Sequence, residues 1–133
     1  MEMFFKLSGI AFAGACLVTP PVLADDALKA GEKVFKRCKA CHTVGEKAKN
    51  KVGPLLNDIF GRKAGTVEGF KYSKAMAEAG LGGLVWNDET MTEFLSKPRK
   101  YIKGTKMGFA GLRKDQQIAD VIVYLKGFSN EAQ

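Results

Sequence analysis

Two cysteines and the only histidine of the chain stand together in "KRCKACHTVG", from Lys36 to Gly45. Cys38, Cys41 and His42 constrain the fold more than any other feature, because little else in the sequence can staple it. A disulfide between residues three apart would close a very small loop and hold almost nothing. The apolar helical stripes are few, and glycines at 45, 53, 61, 65 and 69 break up the middle of the chain. A small domain that orders so much loop needs a staple. Without a disulfide framework, that staple is expected to be a large bound group.

The third cysteine, Cys16, belongs to a different segment. "MEMFFKLSGIAFAGACLVTPPVLA" carries Lys6, then an apolar run from Leu7 to Val18, and ends on small residues at Ala24. The run is short for a bilayer span and reads as a secretory leader cleaved after Ala24, with an uncleaved anchor as the alternative. Residues 1–24 are therefore expected to be removed, leaving 25–133 as one domain. Its two cysteines are Cys38 and Cys41. Its net charge stays at +7, because Glu2 and Lys6 cancel.

A coarse map places the motif. Gly31, Val34, Phe35 and Cys38 recur at helical spacing, which predicts a helix from Asp26 to about Cys41, opened by Asp25 or Asp26. "YSKAMAEAG" predicts a short helix that Gly80 ends. Asn87 caps a third helix that Pro98 closes near Lys97. Ile118, Val121, Ile122 and Leu125 share one face of a last helix, from about Lys114 to Gly127. "KYIKGTKMGFAG" reads as loop. No stretch alternates as a strand would.

Cys-x-x-Cys-His is the attachment signature of c-type haem. Two thiols at i and i+3 on a helical turn can add to the two vinyl groups along one haem edge, and the next residue then aims an imidazole at the iron. Two other readings fail on the rest of the sequence. A thioredoxin-like pair opens a helix after a strand, whereas this pair closes a helix with no strand before it. A zinc site needs two further ligands, and no other His or Cys remains after residue 42. With no second histidine, the other axial ligand is expected to be a methionine. Met76 and Met91 sit in helical patterns, where methionine usually fills core. Met107 lies on a loop between Gly104 and Gly108, which can bend close to a flat cofactor.

The residues from about Gly31 to Phe128 resemble class I cytochrome c, the mitochondrial protein and its soluble bacterial relatives. The motifs that carry the resemblance are "GEKVFKRCKACHTV", "KVGPLLNDIFGRKAG", "GFKYSKA", "WNDETMTEFLSKPRKYIKGTKMGFAGL" and "ADVIVYLKG". It implies an all-α cytochrome c fold, three to five helices with long loops wrapped around one haem c bound through Cys38 and Cys41. His42 and Met107 would be the axial ligands, and the Pro54 carbonyl would accept from the far nitrogen of His42. Arg62, Tyr72, Trp86 and Thr105 would surround the propionates. Gly31 and Phe35 would pack against Val121 and Tyr124. This sequence departs from the family in three places. Three extra residues around "EAGLGG" read as a surface loop, Lys103 replaces a common proline, and Phe94 replaces a tyrosine near the methionine sulfur.

The function so implied is one-electron transfer by a monomeric, non-enzymatic carrier, and the apolar core of the leader places it in the periplasm. Its partners would be acidic docking faces on a cytochrome bc complex, a terminal oxidase, a photosynthetic reaction centre or a periplasmic dehydrogenase. Neither nucleic acid nor an integral membrane position is expected. Arg37, Lys51, Arg99, Lys100, Lys106, Arg113 and Lys114 would ring the haem edge. The alternative is a haem enzyme or gas-binding protein with an open sixth position. Such a site usually needs a distal acid–base residue, and the one histidine is already used.

Overall fold

The first and last helices cross where the chain has no side chain. The computed structural model describes residues 22–130. Residues 1–21, with most of the expected leader, lie outside the described residues, and the expected cleavage point at Ala24 falls within the first helix. That helix, α1, spans Val22–Phe35, and α5 spans Asp115–Lys126. A Cβ at Gly31 would collide with the Asp120 carbonyl and stand 2.6 Å from Tyr124 Cβ. The missing side chain lets the two backbones touch. Phe35 then stacks on Tyr124 at 5.3 Å, and Phe35, Ile118 and Val121 are the most deeply buried apolar side chains at the crossing.

Three shorter helices complete an all-α architecture. Helix α2 is Lys74–Leu81, α3 is Asp88–Ser96 and α4 is Pro98–Tyr101. Local chemistry fixes their starts. Ser73 Oγ accepts from the Met76 N–H at 3.1 Å, which caps α2. Asn87 and Thr90 form a reciprocal capping box at α3, with both hydrogen bonds at 2.9 Å. Pro98 ends α3 but also opens α4, because a proline fits the first helical position. That helix falls partly within the stretch read as loop.

Three other boundaries differ from the sequence reading. Helix α1 starts at Val22, before the aspartates expected to cap it, and regular α-helix ends at Phe35. Turn hydrogen bonds carry the chain on to His42. The extra residues around "EAGLGG" mostly lengthen α2 rather than forming a loop. Gly80 is buried inside α2, where a Cβ would collide with the Ala64 carbonyl. The glycine read as a helix stop is therefore a packing residue.

No strand is present among the described residues. An isolated antiparallel bridge joins Lys63 to Val85, flanked by Ala64 N–H to Leu84 O and Trp86 N–H to Arg62 O, both 2.9 Å. This short ladder holds Arg62 and Trp86 side by side.

Candidate functional site

The helices and loops enclose a cavity of about 450 Å³, within the usual range of roughly 300–1,000 Å³ for cofactor sites. Two chain segments supply most of its reactive lining. One carries Cys38, Cys41, His42, Gly53 and Pro54, and the other carries Thr105, Met107 and Phe109. Phe35, Leu56, Phe94 and Val121 give it an apolar interior.

The first segment is heavily cross-braced. Beyond α1, Cys38 N–H donates to Phe35 O at 2.8 Å, and His42 N–H donates to Cys38 O at 2.9 Å. The two thiols thus ride one helical turn, both half-buried and unpaired. His42 Nδ1 lies 2.7 Å from Pro54 O. A carbonyl can only accept, so Nδ1 carries the proton and the Nε2 lone pair is free for a metal. Burial pushes His42 below the ordinary imidazole range, with the Pro54 hydrogen bond pulling the other way. Gly53 N–H donates to Cys41 O, and a Cβ at Gly53 would stand only 2.8–2.9 Å from the two ring nitrogens. Burial raises the Cys38 thiol pKa, which the adjacent Arg37 opposes.

Asn57, which the sequence reading did not single out, ties this segment together. Its side-chain oxygen accepts from Gly45 N–H at 3.0 Å, and its amide donates to Gly45 O at 2.9 Å. Its backbone carbonyl accepts from Arg62 Nη1 at 2.9 Å. Asn50 braces the same stretch, accepting from Leu55 N–H and donating to Glu68 O, both at 3.0 Å. Both are asparagines in glycine-broken loop, where side-chain to backbone bonding is the signal for such a role.

The second segment is held differently. Met107 is half-buried, and its N–H donates to Thr105 Oγ1 at 3.3 Å. Met76 and Met91 also line the cavity, but they are packed within α2 and α3. Met107 is the lining methionine that comes from a loop.

Four lining side chains keep a donor for an acidic group. The Tyr72 hydroxyl accepts from Val67 N–H and the Thr105 hydroxyl from Met107 N–H, so each O–H proton is uncommitted. Arg62 gives two of its five N–H groups to backbone carbonyls, and burial lowers its pKa while Tyr72 and Asp58 raise it. Trp86 is buried, and its indole N–H has no protein acceptor among the described residues. A cofactor with an apolar body, two thiol-reactive groups along one edge and ionised carboxylates fits this lining. Metal-site alternatives find no support in the donor set, for no three His, Cys, Asp or Glu side chains cluster among the described residues.

A family model described as cytochrome c matches residues 28–129. Cytochrome c2 of Afifella marina is 53% identical over 106 residues, covering 80% of this chain and 86% of its own. Cytochrome c2 of Blastochloris viridis is 48% identical over 109 residues, covering 82% and 83%. Among solved structures, cytochrome c2 from Rhodospirillum centenum superposes with a TM-score of 0.72 at 42% identity, covering 77% of this chain and 98% of that one. The chain belongs to the cytochrome c family and has the cytochrome c fold. Within that family the Cys38–Cys41 spacing attaches one covalent haem c.

Proposed function

We propose that this protein is a periplasmic carrier whose haem iron is closed by His42 and Met107, passing single electrons between membrane or dehydrogenase partners. It is an electron-transfer protein rather than an enzyme. The observation that carries the closed-iron reading is the single cavity that holds the His42 ring, fixed by Pro54, together with a loop methionine. The haem supplies the one-electron couple. The chain supplies the rest. Cys38 and Cys41 fix the group, and Pro54 sets the tautomer and orientation of His42 and raises its basicity. Arg62, Tyr72, Trp86 and Thr105 offer donors that let buried carboxylates stay ionised. The apolar interior excludes water. The open-site alternative lacks a distal histidine and is set aside.

The periplasmic location rests on the leader of residues 1–24, removed after Ala24, and leaves residues 25–133 as the working domain. No helix among the described residues is long and apolar enough to cross a membrane. Docking is assigned to Arg37, Lys51, Arg99, Lys100, Lys106, Arg113 and Lys114. All seven are exposed, and none forms a salt bridge with a described residue. Unspent positive charge of this kind steers an acidic partner such as a cytochrome bc complex, terminal oxidase, reaction centre or dehydrogenase.

Met107→Ala tests the ligand. The covalent haem should remain, and the reduced protein should bind carbon monoxide. A closed low-spin spectrum in Met107→Ala, with loss of that spectrum in Met76→Ala or Met91→Ala, would move the assignment. Charge reversal at Lys100 or Lys106 should slow electron transfer to source membranes, steeply with added salt. Reversal at Lys29, which pairs with Asp25 on α1 at 3.0 Å, should change it little. Equal slowing at all three positions would remove the localised docking face.

A further inference from the structure

The loop that carries Met107 is pinned by cations rather than by its own backbone. Thr105 N–H reaches Ile102 O at 3.1 Å and Leu112 N–H reaches Leu95 O at 2.8 Å, but no backbone-to-backbone hydrogen bond involves Lys106–Gly111 among the described residues. The holds between those two points are side chains. Arg99 Nη2 donates to Gly108 O at 3.2 Å. The Arg37 guanidinium lies over the Phe109 ring, 5.5 Å from its centroid. Lys106 Nζ reaches Lys71 O at 3.4 Å.

Arg37 and Arg99 also belong to the face assigned to docking, and the chemistry of arginine lets one side chain do both tasks. A guanidinium has five N–H donors in a plane. The Arg37 guanidinium makes no hydrogen bond to a described residue, so its contact with Phe109 leaves its N–H donors free. The bond to Gly108 uses one N–H of Arg99 and leaves four. A carboxylate can take the free edge bidentately without breaking either hold. An ammonium group has no separate face and edge to divide in this way.

We propose that carboxylates of an acidic partner protein, by engaging Arg37 and Arg99, tighten the Met107 loop instead of competing for its pins. Each free arginine samples many rotamers, and one set holds the loop. A carboxylate that fixes the guanidinium in that set removes the ordering cost, so the loop closes more firmly. By linkage, a closed loop binds the acidic surface more tightly to the same degree. Docking and loop closure thus support each other at the moment of electron exchange.

This inference rests on the docking face proposed above, and the experiment separates the two. The ferric holoprotein is titrated with poly-L-glutamate at low ionic strength, and amide hydrogen exchange is followed at Thr105, Met107 and Leu112. Binding and its salt dependence are measured in parallel. Exchange at these amides should slow roughly threefold to tenfold on binding, the scale of the ordering cost of one immobilised rotamer-rich side chain. In an Arg37→Lys/Arg99→Lys double variant the polymer should bind with a similar salt slope, yet exchange should slow less than about twofold. Unchanged or faster exchange in the wild-type protein on binding would overturn the proposal, as would equal slowing in the double variant. Failure of the wild-type protein to bind the polymer at all would overturn the docking face and the inference with it.

Discussion

The two segments that bring ligand-type side chains to the cavity are built on opposite plans. Around His42, the chain spends backbone and asparagine hydrogen bonds freely. Cys41, Thr43, Gly45 and Pro54 all carry partners twelve or thirteen positions away, at 2.7–3.0 Å. Around Met107, side chains do the holding: the Thr105 hydroxyl, the exposed Arg37 and Arg99, and the packing of Met107 and Phe109 against the core. A tightly braced stretch opens only at a large fraction of the global stability, whereas a stretch with few backbone bonds opens cheaply. The thiols must stay fixed for the haem to be positioned at all. In the ligation proposed above, His42 shares that demand, and the methionine loop has only to close afterwards.

The sharpest test of this contrast is the same substitution in both segments. Gly53→Ala puts a Cβ against the His42 ring, which the Pro54 bond prevents from moving aside. The expected cost is about 2–3 kcal/mol, the upper range for overpacking, or a fall in Tm of roughly 10–20 °C. Gly108→Ala meets only the flexible tip of Arg99 at 3.8 Å, and Gly108 is exposed. It should cost less than about 0.5 kcal/mol. Thermal melts of the two holoproteins decide the matter. Similar Tm values would mean that the His42 segment yields as readily as the other.

A smaller effect is expected at Asn57. Asn57→Ala leaves Gly45 N–H and O without their partners, at about 1–2 kcal/mol. Asn57→Asp should recover only part of that, because a carboxylate accepts from Gly45 N–H but cannot donate to Gly45 O. Denaturant unfolding of the three forms reads the order directly. Two variants of equal stability would show that the reciprocal pair does not act as a brace.

How much of this was legible in the sequence follows from range. The Cys-x-x-Cys-His cluster and the cap at Asn87 act within a few residues, so spacing alone exposes them. The face shared by Ile118, Val121, Ile122 and Leu125 is a period within one helix, and all four are buried. What stayed hidden depends on residues far apart. Gly80 looks like a helix stop until the Ala64 carbonyl is seen to occupy the place of its side chain. Asp58 adopts a positive φ of 55° and accepts from Asn130 N–H at 2.7 Å, a contact across 72 positions that no local pattern announces. The pins on the Met107 loop were hidden for another reason. Arg37 and Arg99 read as surface charge, and only the folded chain brings them to Phe109 and Gly108.

The finest expected difference lies on the methionine side and concerns an atom this chain lacks. Phe94 is buried, lines the cavity, and packs between Trp86 at 5.0 Å and Tyr101 at 6.3 Å. The family resemblance places a tyrosine hydroxyl at this position, near the ligand sulfur. A donor there withdraws electron density from the thioether and disfavours ferric iron, so its presence raises the reduction potential. Phenylalanine fills the same space and donates nothing. If the hydroxyl of Phe94→Tyr reaches the Met107 sulfur, a hydrogen bond that differs by ~1 kcal/mol between oxidation states corresponds to roughly 40 mV for one electron. Phe94→Tyr is therefore expected to raise the midpoint by tens of millivolts at neutral pH while the sulfur-to-iron band persists. The same substitution should leave the His42 side untouched, because Phe94 lies on α3 and makes none of the hydrogen bonds that fix the imidazole. Redox titration with the band monitored in the same sample separates the outcomes. A raised midpoint with the band intact places the hydroxyl at the sulfur. An unchanged or lowered midpoint with the band intact places it elsewhere, and the methionine side would then be tuned by its loop rather than by a donor from α3.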